Sequence, residues 1–228
     1  MIIFVDGIDG SGKTTLIRHL ATALNSSGIE AVVSSPLWRY LPTIAAPEQF
    51  ASWVVSTPGM DVAEALIGAM IDRLDDLRDL SVAQDRVRLV DRGPKTVYAS
   101  ARAHACERRT AIEPLRERLA ASVRALTDVQ PCLAIELGDG VEALRTALPR
   151  LTPHQTVTLG YLGYLQAFVT EMHTFGDWPG LPTQRLDVSM SAESNCAAVL
   201  KSLRFPSPRN GRADAGAAVP ANRRDWRT

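Results

Sequence analysis

An apolar run, Ile2 to Asp6, leads directly into Gly7-Ile8-Asp9-Gly10-Ser11-Gly12-Lys13-Thr14, and a helical pattern opens at Lys13. The eight residues match G-x-x-x-x-G-K-[ST] in full, with a strand before and a helix after. Glycines let successive backbone N–H groups turn inward around an anion. A helix starting near Lys13 aims the positive end of its dipole at the same point. Lys13 adds a mobile point charge suited to the β- and γ-phosphates of a nucleoside triphosphate. The Thr14 hydroxyl suits a magnesium ion. A Gly-rich turn without a ligand is the bland alternative, and the full match in this context argues against it.

The rest of the chain supplies the sheet that such a loop needs. Leu16, Ile17, Leu20 and Leu24 share a helical face, and Gly28 closes that helix. Further strands are expected at Ala31–Ser34, Val87–Asp91, Cys132–Leu137 and Gln184–Val188. Four prolines and two tryptophans between residues 36 and 60 predict loops with at most short helices. Helices are expected over Val62–Leu80, from Pro94, over Glu113–Ala125, Val141–Leu148 and Ala192–Leu203. A helix start is read at Thr152, Pro153 and Gln155, and a helix over Val157–Met172 interrupted at Gly160 and Gly163. Strands alternating with helices mean a parallel sheet covered on both faces.

Composition excludes several classes. The chain has 228 residues, with 25 basic and 25 acidic side chains. That balance argues against a coat for nucleic acid or an acidic membrane surface. Cys106, Cys132 and Cys196 are odd in number and widely spaced, which reads as reduced thiols in a cytoplasmic protein. The histidines show no metal-ligand spacing, and no stretch has the length of a membrane span. From Phe205 three prolines, two glycines and five arginines replace any aliphatic stripe, so 205–228 is read as a disordered tail on a 1–204 domain. The tail carries plus three and the body minus three. Only three of the basic residues are lysines, Lys13, Lys95 and Lys201, so each lysine position is informative.

Asp91 ends the third strand, where a carboxylate would face the loop and hold magnesium through water. The chain has no N-K-x-D guanine motif and is too short for a motor. Phe4-Val5-Asp6-Gly7-Ile8-Asp9-Gly10-Ser11-Gly12-Lys13-Thr14-Thr15 resembles the opening of thymidylate kinases. Ile71-Asp72-Arg73 and Leu89-Val90-Asp91-Arg92 resemble two further motifs of that family. Tyr161 to Met172 followed by Arg185-Leu186-Asp187-Val188 is similar to its late helix and last strand. The resemblance spans residues 1 to about 204. It implies an α/β P-loop NTP hydrolase-like three-layer fold, with a five-stranded parallel sheet and a small lid.

The resemblance also implies roles. ATP with Mg2+ would lie on Gly7, Ile8, Asp9, Gly10, Ser11, Gly12, Lys13, Thr14 and Thr15, with the metal at Thr14 and Asp91. Asp9 would hold the sugar 3′-hydroxyl, Arg39 and Arg92 the acceptor phosphate, and Arg73 the pyrimidine ring. Tyr164 would border the sugar, and Arg145 and Arg150 would be lid arginines. Lys13, Asp9, Arg92 and Arg150 would form the catalytic set, and the family suggests a homodimer through helices near 62–80 and 94–105. Each arginine also has a plainer reading, as a solvated charge or a helix ion pair, and Tyr164 as core.

Departures bear on specificity. The family's stacking aromatic is Ala69 here, and Gly93-Pro94 follow Asp91-Arg92. Losing an aromatic platform costs about 1–3 kcal/mol of base binding. Three readings follow: a kinase for nucleoside monophosphates such as dTMP, a kinase with a hydroxyl acceptor, and a non-catalytic nucleotide-binding protein. The segment Val33-Ser34-Ser35-Pro36 lacks the carboxylate that a hydroxyl acceptor would favour after strand two, and Asp9 or Asp91 could take its place.

Overall fold

The computed structural model describes residues 1–46, 48–81, 86–105, 110–138, 141–150 and 159–203. Five strands, β1 (Ile2–Gly7), β2 (Ala31–Val33), β3 (Val87–Asp91), β4 (Cys132–Leu137) and β5 (Thr183–Leu186), form one sheet in the order β2-β3-β1-β4-β5. Every pairing is parallel. The described helices are α1 (Lys13–Ser26), α2 (Glu48–Ser56), α3 (Gly59–Ser81), α4 (Pro94–Ala105), α5 (Glu113–Thr127), α6 (Val141–Ala147), α7 (Leu159–Phe175) and α8 (Ala192–Ser202). Short 3-10 turns occupy Leu37–Tyr40 and Leu148–Arg150. The expected α/β sheet with helices on both faces is therefore present.

Alternation along the buried strands builds two cores. Ile2, Phe4, Val90 and Ala134 face α3, α4 and α5. Ile3, Val5, Leu89, Ile135 and Leu137 face α1, α7 and α8. Successive strand side chains point to opposite faces, so both faces must be apolar here. β1 lies centrally, with β3 on one side and β4 on the other. The chain order reverses there, and ligands of open parallel sheets bind in the crevice beyond the strands' carboxyl ends at that point.

Several expectations are adjusted. α7 runs without a break through Gly163, whose site is open on the solvent side. Buried Tyr161, Leu165, Phe168 and Met172 hold the helix, and tertiary packing outweighs the low helix propensity of glycine. β5 ends at Leu186 because the Asp187 carboxylate accepts the Ser189 N–H at 2.8 Å and turns the chain. The apolar stripes of α3 and α4, Leu66, Met70, Leu74, Val97 and Ala101, are buried within the chain's own core. A homodimer would need other residues on those helices. The expected tail 205–228, the helix start at residues 152–155 and Cys106 lie outside the described residues. No helix among the described residues is long and apolar enough to cross a membrane.

Lys95 proves to be a buried cation. Its Nζ lies 2.5 Å from Oε1 of Glu136, and the two side chains are 4% and 1% exposed. The pair ties α4 to β4 beneath the carboxyl end of the sheet. Burial pushes the Glu136 carboxyl up, and Lys95 opposes that rise. Lys95→Met should lower the unfolding free energy by about 3–5 kcal/mol, because it leaves the buried Glu136 carboxylate only the exposed Arg185, whose Nε lies 3.5 Å away. Lys95→Met combined with Glu136→Leu should recover most of that loss in urea unfolding. A single-variant loss below about 1 kcal/mol would mean that the pair behaves as a surface ion pair.

Candidate active site

The loop after β1 forms the floor. Gly12 has φ 94° and passes directly into α1, whose first residue is Lys13. Gly10 has φ 78°, and a Cβ there would lie 2.7 Å from the carbonyl oxygen of Ala147 at the end of α6. Glycine is required at that position by both backbone angle and contact. The Lys13 Nζ donates to the Ile8 carbonyl at 2.7 Å and lies 4.0 Å from Asp9. Burial, followed by the charge of Arg92, lowers the Lys13 pKa.

Asp9, Gly10, Gly12, Lys13, Thr14, Thr15, Asp91 and Arg92 line one cavity of about 320 Å³. The sequence-assigned loop residues thus meet the end of β3 in a single place. The Thr14 hydroxyl donates to Oδ2 of Asp91 at 3.2 Å. The other Asp91 oxygen, Oδ1, is buried without a protein partner, as is Oγ of Ser11. A hydroxyl and a carboxylate side by side, with one carboxylate oxygen left unpaired, fit a hard cation such as Mg2+ completed by phosphate oxygens and water. Among the described residues no group of three or more His, Cys, Asp or Glu side chains could hold a metal by itself.

On the other side Arg92 Nη2 donates to Oδ1 of Asp9 at 2.5 Å. The Tyr161 hydroxyl donates to Oδ2 of Asp9 at 2.8 Å. Burial alone would raise the Asp9 pKa, but Arg92, Lys13 and the Tyr161 hydrogen bond outweigh it and hold the carboxyl below its usual range. Burial opposes the charge on Arg92, yet Asp9 and Asp91 raise its pKa. Tyr161 was not singled out in the sequence, where Tyr164 stood for this face. The two tyrosines are three apart on one helix, so both face the same side. Tyr164 instead shares a 2.7 Å hydrogen bond with Ser100 and stacks on His104 with ring centroids 4.3 Å apart. Burial pushes the His104 pKa down to about 4.

The remaining arginines fall elsewhere. Arg73 is fully buried, and its Nη1 donates to the carbonyls of Asp91 at 2.8 Å and Arg92 at 3.3 Å. Arg39 is exposed, with its guanidinium 5.6 Å from the Trp38 ring. Arg145 is exposed on α6, and the backbone of Arg150 closes the adjoining 3-10 turn. The Arg150 side chain lies outside the described positions. Gly93 is explained by Asp6: a Cβ at 93 would lie 2.6 Å from Oδ2 of Asp6. Asp6 Oδ1 accepts the N–H groups of Gly93 and Thr96, each at 2.9 Å.

No family model matches the chain. The chain is 32% identical over 97 residues to the thymidylate kinase of Xanthomonas euvesicatoria pv. vesicatoria, covering 40% of each protein. It is 56% identical over 34 residues to the thymidylate kinase of Xylella fastidiosa strain Temecula1, covering 15% of this chain and 16% of that protein. The matched segment thus spans well under half the length of these curated relatives. Among solved structures, deoxyadenosine kinase from M. mycoides with bound dATP superposes with a TM-score of 0.61 at 14% identity. That alignment covers 90% of this chain and all of the other. The chain has a P-loop kinase-like fold. At that identity the likeness establishes the fold alone.

Tyr161→Phe tests the Asp9 cluster. Removing a hydrogen bond to a buried carboxylate should cost about 1.5–3 kcal/mol of stability at pH 7. Asp9 has a folded pKa below its unfolded value of about 3.9, so its contribution is complete above that value. It is lost as pH falls through the folded pKa. The gap between wild type and Tyr161→Phe in urea unfolding should therefore close in strong acid, and an unchanged gap would contradict the assignment.

Proposed function

We propose that the protein is an ATP-dependent nucleoside monophosphate kinase that converts a deoxynucleoside monophosphate such as dTMP to the diphosphate. The observation that carries this reading is the single cavity in which the phosphate loop, the Thr14–Asp91 pair and the Asp9–Arg92 pair converge. The thymidylate kinase matches support the acceptor class.

The chemistry follows from what these side chains can do. Backbone N–H groups of Gly10 and Gly12, the α1 N-terminus and Lys13 would bind the triphosphate of ATP. Thr14 and Asp91 would hold Mg2+, which when bound neutralises charge on the phosphate oxygens. Arg92, fixed by Asp9, would orient the acceptor phosphate toward the γ-phosphorus. An acceptor phosphate oxygen forms the new P–O bond, the bond to the β–γ bridging oxygen breaks, and ADP carries away that electron pair. The attacking oxygen is already anionic, so no strong general base is needed. Asp9 suits this reaction, because a carboxylate engaged by Arg92, Lys13 and Tyr161 is a weak proton acceptor. Asp9 is therefore poorly suited to be the base that a hydroxyl acceptor would use. Arg39, Arg145 and Arg150 belong to the proposal as acceptor and lid cations, and Tyr164 as a neighbour of the sugar. The 1–204 catalytic domain and a cytoplasmic setting complete it.

The test is an acceptor panel with purified protein, ATP and MgCl2. Formation of ADP with a deoxynucleoside diphosphate is expected, and thymidine monophosphate should be among the accepted substrates. Transfer only to nucleoside hydroxyls would overturn the proposal in favour of a hydroxyl acceptor. No ADP with any acceptor would overturn kinase activity altogether.

A further inference from the structure

We infer that Arg73 is the positioning residue of this site, its buried guanidinium clamping the carbonyls of Asp91 and Arg92 so that one turn delivers a carboxylate to Thr14 and a guanidinium to Asp9. The inference rests on the kinase reading for its kinetic consequences, and on geometry alone for its structural ones.

Arg92 has φ 66°, the one positive value at a non-glycine residue among the described residues. A non-glycine residue keeps such a backbone only where its surroundings hold it. Here the surroundings are fully specified. The Arg92 N–H donates to the Val5 carbonyl at 3.0 Å. The Gly93 N–H donates to Asp6. The two carbonyls between these anchors, those of Asp91 and Arg92, both accept from Arg73 Nη1. The left-handed turn sends neighbouring side chains to opposite sides of the cavity, Asp91 to Thr14 and Arg92 to Asp9.

Arg73 is suited to this role. It is 0% exposed, in the middle of α3, next to buried Met70, Leu74 and Leu77. Its other donors, Nε and Nη2, are enclosed and have no protein partner. Burial lowers its pKa to about 10, and the group stays charged at neutral pH. Among the described residues it forms no salt bridge with the aspartates of its own helix.

The test uses the full chain and the conservative variant Arg73→Lys, which keeps the charge but whose shorter side chain does not carry its ammonium to the position of Nη1. Displacing catalytic groups by about 1 Å can cost roughly a hundredfold in rate. A fall in kcat of that order is expected, by the same factor for every accepted nucleotide, with the ratio of acceptor KM values between bases unchanged. Arg73→Lys added to Arg92→Ala should lower kcat little further. A KM rise confined to one base, with kcat intact, would instead mean that Arg73 touches the base and would overturn the inference. So would an unchanged kcat.

A second measurement is independent of activity. Glycine accepts positive φ freely, so the fall in thermal midpoint caused by Arg73→Lys should be smaller in an Arg92→Gly background than in wild type. Equal falls would overturn the clamp. If the wild type transfers phosphate to no acceptor, the proposed function fails while this comparison still decides the clamp.

Discussion

The Asp6 carboxylate, 1% exposed at the end of β1, accepts the N–H groups of Gly93 and Thr96 and so fixes where α4 begins. The Thr96 hydroxyl in turn accepts the Gly7 N–H at 3.0 Å, which binds the first residue of the phosphate loop to the same helix start. Burial raises the Asp6 pKa despite these hydrogen bonds. The arrangement leaves no room for a side chain at residue 93. It brings Asp91 and Arg92 to the rim of the loop, where their side chains complete a cavity the loop alone would leave open. The register of β1 with β3, Val5 opposite Asp91, sets the height of that rim.

Charge is concentrated where the ligand chemistry needs it. The body to residue 204 is formally minus three. A triphosphate is therefore not drawn to this surface by net charge. Under the proposed function it would be held by placed groups: backbone N–H donors, Lys13 and Arg92, with Asp91 available for a cation. Asp9 tempers this cluster. By pairing with Arg92 and accepting from Tyr161 it fixes the guanidinium and keeps three ionised groups mutually compatible in a buried space.

Much of this was legible in the sequence. Gly7 to Thr14 gave the loop, its flanking strand and helix, and the sheet that had to surround them. The alternating apolar runs gave all five strands. Asp91 and Arg92 stand where strand-end residues reach a loop on the neighbouring strand. What was not legible depends on contacts distant in the chain. The Tyr161–Asp9 bond spans 152 positions, and no local pattern separates Tyr161 from Tyr164. Arg73 sits among Asp72, Asp75 and Asp76, a run that reads as a helix ion pair beside the base-contacting role the resemblance implies. Only the packing of α3 under β3 shows it to be internal. The rarity of lysine did carry a signal: two of the three lysines, Lys13 and Lys95, are buried cations with defined partners. Gly93 looked like a loss from the family pattern, and Asp6 supplies its reason.

The central claim is that the cavity beside Lys13 is a nucleotide phosphate site. Titration calorimetry of ATP with MgCl2 against wild type and Lys13→Ala tests it most directly. Removing one charged donor, at about 1.5–3 kcal/mol, should weaken ATP binding by roughly tenfold to a hundredfold while the protein stays folded. Equal affinity of the two proteins for ATP would contradict the account.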